Sequence, residues 1–406
     1  MNVIHTAQLA KEASLKLLGL SEAKRVKALE AMASAIKENM ASILKENALD
    51  LASAKSNNLS KAMLDRLTLS EKSLLALSQM CSDVASQPQV VGIIAEEYQR
   101  PNGLIIQKQT IPLGVIGMIF ESRPNVVADG AALAIKSGNA IILKGGKEAQ
   151  HSNKAIFDVI SNAVKDILPE GAISLIETRE DVNQLLKLHQ YIDLMVPRGG
   201  SSLIEFVKKN ATMPVVAHDK GLCHLYVHSD ADNVLPIVLN AKVQRPGVCN
   251  ALESLLVNQN YPAIKEIIEA LLSNEVEIRG CEKSQKLHPL IKPASEEDFA
   301  TEYLDKIISL KIVSDEDEAI KHIQKYSSHH TEAILAKDLK VIEKFLNTLD
   351  ASAIIINAST RFNDGGELGL GAELGISTSK LHAYGPMGAK EMTTTRFIVQ
   401  GHGQIR

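Results

Sequence analysis

The sequence predicts an α/β protein with two Rossmann-like parallel-sheet lobes, a helical N-terminal layer and a small hairpin. Three observations carry that expectation. The chain has 406 residues, too many for one compact core. From about residue 3 to residue 85 apolar positions recur at i, i+3, i+4 spacing. After Pro112 short β-branched runs alternate with helical patterns, the signature of βαβ units on a parallel sheet. Apolar residues make up 45% of the chain and charged residues 23%, a globular composition with no biased tract long enough to stay disordered.

Each element follows in order. Alanine, leucine, lysine and glutamate dominate the first 85 positions and predict a helical layer, not a catalytic core. QRPNGLIIQKQTIP alternates around Asn102-Gly103, a hairpin turn pair, so a ribbon near 98–112 is expected to serve as an oligomerisation arm. The first series then runs GVIGMIF, PNVVADGAALAIKSG, AIILKGG, NKAIFDVISNAVKDIL, AISLIE, DVNQLLKL, IDLMVP and SSLIEFVKKN. A second begins near residue 225 with LYVHSD, NVLPIVLNAKV, SLLVNQ, AIKEIIEALLSN, EDEAIKHIQKY, EAILAK, VIEKFLNTL and AIIINAS. Segments 1–224, 225–360 and 361–406 are thus expected as a first lobe, a second lobe and a return segment whose last strand, TTTRFIVQG, pairs elsewhere.

Several function classes are disfavoured. A net charge of -4 and a pI near 6.3, without a basic run, argue against nucleic-acid binding. The start carries no apolar signal core and no run approaches the ~20 residues of a membrane span, so a cytoplasmic protein is expected. Cys81, Cys223, Cys249 and Cys281 form no CxxC pair, and neither His218, Cys223 and His224 nor His329 and His330 have zinc spacing, so no metal is expected. No P-loop motif occurs. GLGAELG, Gly369 to Gly375, is one residue too long for a dinucleotide fingerprint and reads as a structural loop.

Three places remain. In AIILKGGK the Lys144 to Lys147 segment follows a buried strand, and in LMVPRGGSS a strand ends at Gly199-Gly200-Ser201 before a helix, where free N–H groups could face a phosphate. Either alone could be an ordinary turn; both on one lobe favour a ligand. In VQRPGVCNA, Arg245 could lower the pKa of Cys249, Pro246-Gly247 permits a sharp turn, and the Cys249 N–H with the Asn250 amide could face an oxyanion. A free cysteine is as often a buried hydrophobe, so both readings stay open on local sequence.

MLDRLTLS, PLGVIGMIFESRPNV, LKGGKEA, VPRGGSSLI, QRPGVCN, NASTRFNDGGELGLGAE and GPMGAKEMTT together resemble the gamma-glutamyl phosphate reductase family of the aldehyde dehydrogenase superfamily, nearly end to end. The resemblance implies an aldehyde-dehydrogenase-like fold, with a cofactor lobe first and a catalytic lobe second. It implies NADPH-dependent reduction of L-glutamyl 5-phosphate to glutamate 5-semialdehyde and phosphate through a thioester on Cys249, with Asn250 and Arg245 assisting. Lys144, Lys147, Gly200, Ser201 and Glu302 would hold NADP(H), and Arg123, Asn125 and Arg361 the substrate. Ser122 takes the place of the superfamily's oxyanion asparagine, and His218 that of the glutamate with which hydrolytic members activate water. Tyr384 stands where an arginine is usual. A homo-oligomer and glutamate 5-kinase are the partners implied. The rivals are a hydrolytic aldehyde oxidiser and a non-catalytic nucleotide-binding partner of that kinase.

Overall fold

The computed structural model describes residues 2–217 and 220–406, with the backbone alone at residues 61 and 62. Five helices, Val3–Leu18, Glu22–Glu38, Met40–Ser56, Lys61–Leu67 and Glu71–Ser86, form the expected layer. Their buried faces are small: Ala7, Ala10, Ala13, Ala28 and Ala33 let the helices lie close to the sheet behind them. The layer is also tied by charge. Lys136, fully buried on the helix Val126–Lys136, donates to Glu22 at 2.5 Å and to the carbonyls of Gln87 and Ala85 at 2.6 and 3.2 Å.

The strands, in chain order, are β1 (Ile94–Gln99), β2 (Ile105–Pro112), β3 (Val115–Phe120), β4 (Ala140–Lys144), β5 (Ile173–Leu175), β6 (Leu194–Arg198), β7 (Cys223–Val227), β8 (Leu252–Asn258), β9 (Glu277–Gly280), β10 (Lys292–Pro293), β11 (Ile307–Val313), β12 (Thr331–Leu335), β13 (Ala353–Ile356), β14 (Ile376–Ser377), β15 (Gly385–Pro386) and β16 (Thr393–Gln400). The first lobe carries a parallel sheet of order β5-β4-β3-β6. Every residue of β3 is buried, as a central parallel strand covered on both faces requires. Its order reverses between β3 and β6, which makes that gap the topological switch point.

The second lobe is a seven-stranded parallel sheet, β10-β9-β11-β8-β7-β12-β13. Helices Val234–Val243 and Ile264–Ser273 cover one face, Glu316–Tyr326 and Leu339–Thr348 the other. The hairpin is present but begins earlier than the turn signal suggested, with β1 from Ile94 and a turn over Arg100–Leu104 in which Gly103 takes φ +87°. The last strand, β16, pairs antiparallel with β2 along its full length. The return segment does not stand apart: Ala372, Leu374, Ala383, Met387 and Met392 complete the first lobe's core.

One buried charge pair fixes the loop that carries Cys249. Lys242, the penultimate residue of the helix before the loop, donates to Glu253 on β8 at 2.9 Å, and both side chains are wholly buried. Burial lowers the ammonium pKa and raises the carboxyl's to about 7, so each is tolerable only beside the other. Lys242→Met alone is expected to destabilise the protein by about 3–5 kcal/mol, because it strands a buried carboxylate. Lys242→Met with Glu253→Leu should recover most of that loss. Urea unfolding of the two variants measures it, and equal losses in both would remove this role from the pair.

Candidate active site

Cys249 lies just before β8, beside the start of β7, at the amino edge of the second sheet. The loop around it is held from four directions. Cys223 Sγ donates to the Cys249 carbonyl at 3.2 Å, and Thr360 Oγ1 donates to the Asn250 carbonyl at 2.8 Å. Asn250 Nδ2 donates to the carbonyls of Asn363 and Arg361 at 3.0 and 3.4 Å. Arg66 Nη2, from the N-terminal layer, reaches the Gly247 carbonyl at 3.2 Å. Gly221 closes the fifth side: a β-carbon there would stand 2.0 Å from the Cys249 carbonyl oxygen, so only glycine fits.

Both side chains considered as oxyanion donors are engaged elsewhere. The Asn250 amide serves the backbone of residues 361–363, which makes it a clamp on the loop. Ser122 adopts a left-handed φ of +46°, held there because its N–H and hydroxyl both donate to Glu148, at 2.6 and 2.7 Å. The Cys249 N–H, by contrast, donates to no described residue and remains available to a ligand oxygen.

The charges around the thiol do not make it acidic. Burial pushes Cys249 up to about 11, Glu373 and Glu302 push the same way, and Arg198 and Arg123 only partly offset them. Arg245 is not among its leading neighbours; its charge is felt by Arg123 and Arg361. Arg123 is lowered to about 10 by burial and then by Arg198, Arg66 and Arg245. These guanidiniums converge without a close ion pair, since the arginine ion pairs among the described residues belong to Arg25 and Arg279, while the carboxyls of Glu373, Asp129 and Asp364 act on them from farther off. Arg361 donates to Gln244 at 3.2 Å. Such a group of like charges calls for an anion.

The remaining expected residues divide between the surroundings of Cys249 and the first sheet. Glu302 accepts the Gly221 N–H at 2.9 Å and so belongs with Cys249. Asn125 turns its amide to Asp129 at 2.7 Å, whose carboxyl burial raises to about 7. Lys144 ends β4 and Lys147 follows it, and Gly200 and Ser201 follow β6, all at the carboxyl edge of the first sheet. There the Gly200 N–H, at the amino end of the helix Ser201–Asn210, donates to Glu121 at 2.8 Å across the switch point. An anionic oxygen thus already sits on the helix terminus. A β-carbon on Gly145 would stand 2.0 Å from the amide nitrogen of the buried Asn153, and one on Gly146 would displace the Glu148 carboxyl, 2.1 Å away.

Sequence reasoning missed Arg66, Arg198, Glu121 and Glu373. Arg66 lies in the helical layer read as non-catalytic, and Glu373 in the glycine-rich segment set aside as a loop. A charged residue inside a run of glycines was the signal available. Tyr384 is not at this centre: its hydroxyl donates to Asp350 at 3.0 Å and Lys380 lies over its ring, a clasp on the second lobe. His218 lies outside the described residues, which contain no group of three His, Cys, Asp or Glu placed to hold a metal ion.

Comparison with known proteins adds an independent line. The family model described as aldehyde dehydrogenase family matches residues 2–308. A gamma-glutamyl phosphate reductase of Carboxydothermus hydrogenoformans is 49% identical over 411 residues, covering 100% of this chain and 99% of its own. The crystal structure of the gamma-glutamyl phosphate reductase from Thermotoga maritima superimposes with a TM-score of 0.96 at 41% identity, covering both chains completely. An engineered glycolyl-CoA reductase with bound NADP+ shares the fold at a TM-score of 0.72 and 15% identity, over 98% of this chain and 96% of its own.

The environment of Cys249 sets its reactivity. In the unliganded protein its alkylation by iodoacetamide is expected to climb about tenfold per pH unit through neutrality, without a plateau below pH 9, as a thiol displaced to about 11 requires. Peptide mapping of the labelled cysteine against pH checks this. A plateau below pH 8 would mean that the arginines outweigh burial.

Proposed function

Because the chain belongs to the aldehyde dehydrogenase family and, within it, to the gamma-glutamyl phosphate reductases, oxidoreductases of proline biosynthesis, we propose that Cys249 is its nucleophile toward L-glutamyl 5-phosphate. The observation that carries this is the set of arginines, Arg66, Arg123, Arg198, Arg245 and Arg361, gathered about a half-buried thiol and making no close ion pair among the described residues. The substrate brings two anionic ends, a phosphate and an α-carboxylate, and planar guanidiniums suit both. Attack by sulfur on the acyl carbon expels phosphate, and the Cys249 N–H supports the oxygen that becomes negative. The resulting thioester is then reduced and released as the aldehyde.

NADP(H) is the expected cofactor, and the residues present fit it. The Gly200 N–H, which now accommodates a carboxylate oxygen, suits a pyrophosphate; Ser201 is the first residue of that helix. Lys144, the half-buried last residue of β4, is proposed to meet the ribose, and the exposed Lys147 a 2′-phosphate. When bound, the reduced nicotinamide supplies the hydride. Glu302, fixed by Gly221, lies near enough to Cys249 to disfavour its thiolate.

The setting of the enzyme is part of the proposal. Tyr98, Phe397 and Val399 leave apolar surface on the three-stranded sheet, which supports a second copy of the chain as its partner there. No described helix is long and apolar enough to cross a membrane, and a cytoplasmic site of action is proposed from the pathway. The lability of an acyl phosphate favours delivery from glutamate 5-kinase.

Run in reverse, NADP+ reduction by glutamate semialdehyde is expected to require phosphate strictly, and Cys249→Ala to abolish it while NADPH still binds. NADPH formation without phosphate would instead establish hydrolysis of the thioester. At the cofactor end, Glu121→Gln is expected to tighten NADPH binding about two- to fivefold by removing a carboxylate that competes for the Gly200 N–H. Lys144→Ala should weaken it. Fluorescence titration reads both, and weaker binding in Glu121→Gln would make that carboxylate a cofactor ligand.

A further inference from the structure

The reading above leaves one proton without a carrier. Cys249 is a thiol at neutral pH in this site, and no described side chain hydrogen-bonds its sulfur. Building on Cys249 as nucleophile toward an acyl phosphate, we propose that Glu373 takes the Cys249 Sγ proton during attack and passes it to the departing phosphate.

The placement of Glu373 is specific. Residues 363–375 fold back on the Cys249 loop. The Asn363 carbonyl accepts from Asn250, the neighbour of Cys249, and two residues later the Gly365 N–H donates to Glu373 Oε2 at 2.9 Å. The Glu373 β-carbon lies 2.7 Å from where one on Gly365 would stand, so a glycine is required to seat it. Only one oxygen is held: Oε1 has no partner among the described residues and is not enclosed, so it is free to meet a ligand. Two residues on, Arg198 Nη1 lies 2.7 Å from the position of a β-carbon on Gly375, which brings Arg198 to the same spot from the first sheet.

The groups facing this carboxyl come from every surrounding element: Arg198 at the end of β6, Arg123 after β3, Asp129 on the helix Val126–Lys136, and Asp364 on its own segment. Burial raises its pKa and the arginines oppose the rise, so this carboxyl holds a proton more readily than a free one. Asp129 is a poorer carrier because Asn125 holds its carboxyl, and Glu302 is held by Gly221.

The step balances. The S–C bond forms, and the bond from the acyl carbon to the phosphate oxygen breaks with its electron pair leaving on phosphate. The S–H proton passes through Glu373 to that oxygen, giving HPO4 2− and restoring the carboxylate. After hydride reduction, sulfur leaves the aldehyde carbon as thiolate, and one proton from water, again through Glu373, restores the thiol. The cycle consumes one proton.

Glu373→Gln keeps the shape and removes the base, and two readouts are expected to move in opposite directions. Alkylation of Cys249 at pH 8 should become faster, because the carboxylate that disfavours the thiolate is gone. Single-turnover phosphate release should fall about 100-fold or more, with wild-type NADPH binding as the measure of an intact fold. Both rates falling together, or acylation unchanged, would overturn the assignment. Should Glu373→Gln not fold, Glu373→Asp serves: partial activity with a shifted acidic limb in kcat/KM supports a proton carrier, and an unshifted limb refutes it. Cys249→Ala separates the two levels, since turnover surviving there would overturn the nucleophile reading itself.

Discussion

Everything at this site depends on the closure of one loop by a buried ion pair. Lys242 and Glu253 stand at the two ends of residues 243–252, and their contact at 2.9 Å in the interior sets where Cys249 can be. The same carboxylate accepts the Leu304 N–H at 3.2 Å, which positions the turn that presents Glu302. Glu302 in turn holds Gly221, and Gly221 packs on the Cys249 backbone. One pair of charges therefore aligns Cys249 with the chain segments on both of its sides. An apolar pair of equal volume could give as much stability, but it could not also hold the Leu304 N–H.

Around that fixed loop the electrostatics are deliberately unbalanced. Burial and two carboxyls keep the thiol protonated, while the arginines make no close ion pair among the described residues. An incoming dianion corrects the second imbalance. In the empty site a thiol resists alkylation and oxidation, since the thiolate is the reactive form.

The lobes were legible because parallel sheets need long apolar strands and amphipathic helices, and GVIGMIF, AIILKGG, SLLVNQ and EAILAK have that texture. Three strands of the second sheet went unseen. EIRG in β9 is short and charged, β10 has two residues, and IISLKIV in β11 follows a stretch without a clear turn signal. Cys249 could be singled out because its flanks are polar. Arg66 and Arg198 could not, because each reaches the site from a different and distant segment, and local spacing carries no trace of that convergence; Glu373 left only the mark of a charge within a glycine-rich run. The same limit explains Asn250: only the fold shows that residues 361–363 lie within reach of its amide.

The return of the chain into its first lobe has a consequence for how the protein acquires its structure. The core behind β3 and β4 is sealed by Leu374, Met387 and Met392, and the buried Asn139 bridges the Gly114 N–H, at 2.8 Å, to the Met392 carbonyl, at 2.9 Å. β2 gains its second partner only from β16. The lobe that begins first along the chain is thus the last to be completed, whereas residues 223–356 hold all seven strands of the other sheet in one continuous stretch. During synthesis the second lobe can condense while the first waits with an open face and an unpaired ribbon edge. That interval is when the protein is most exposed to aggregation, and it ends only as the last residues emerge.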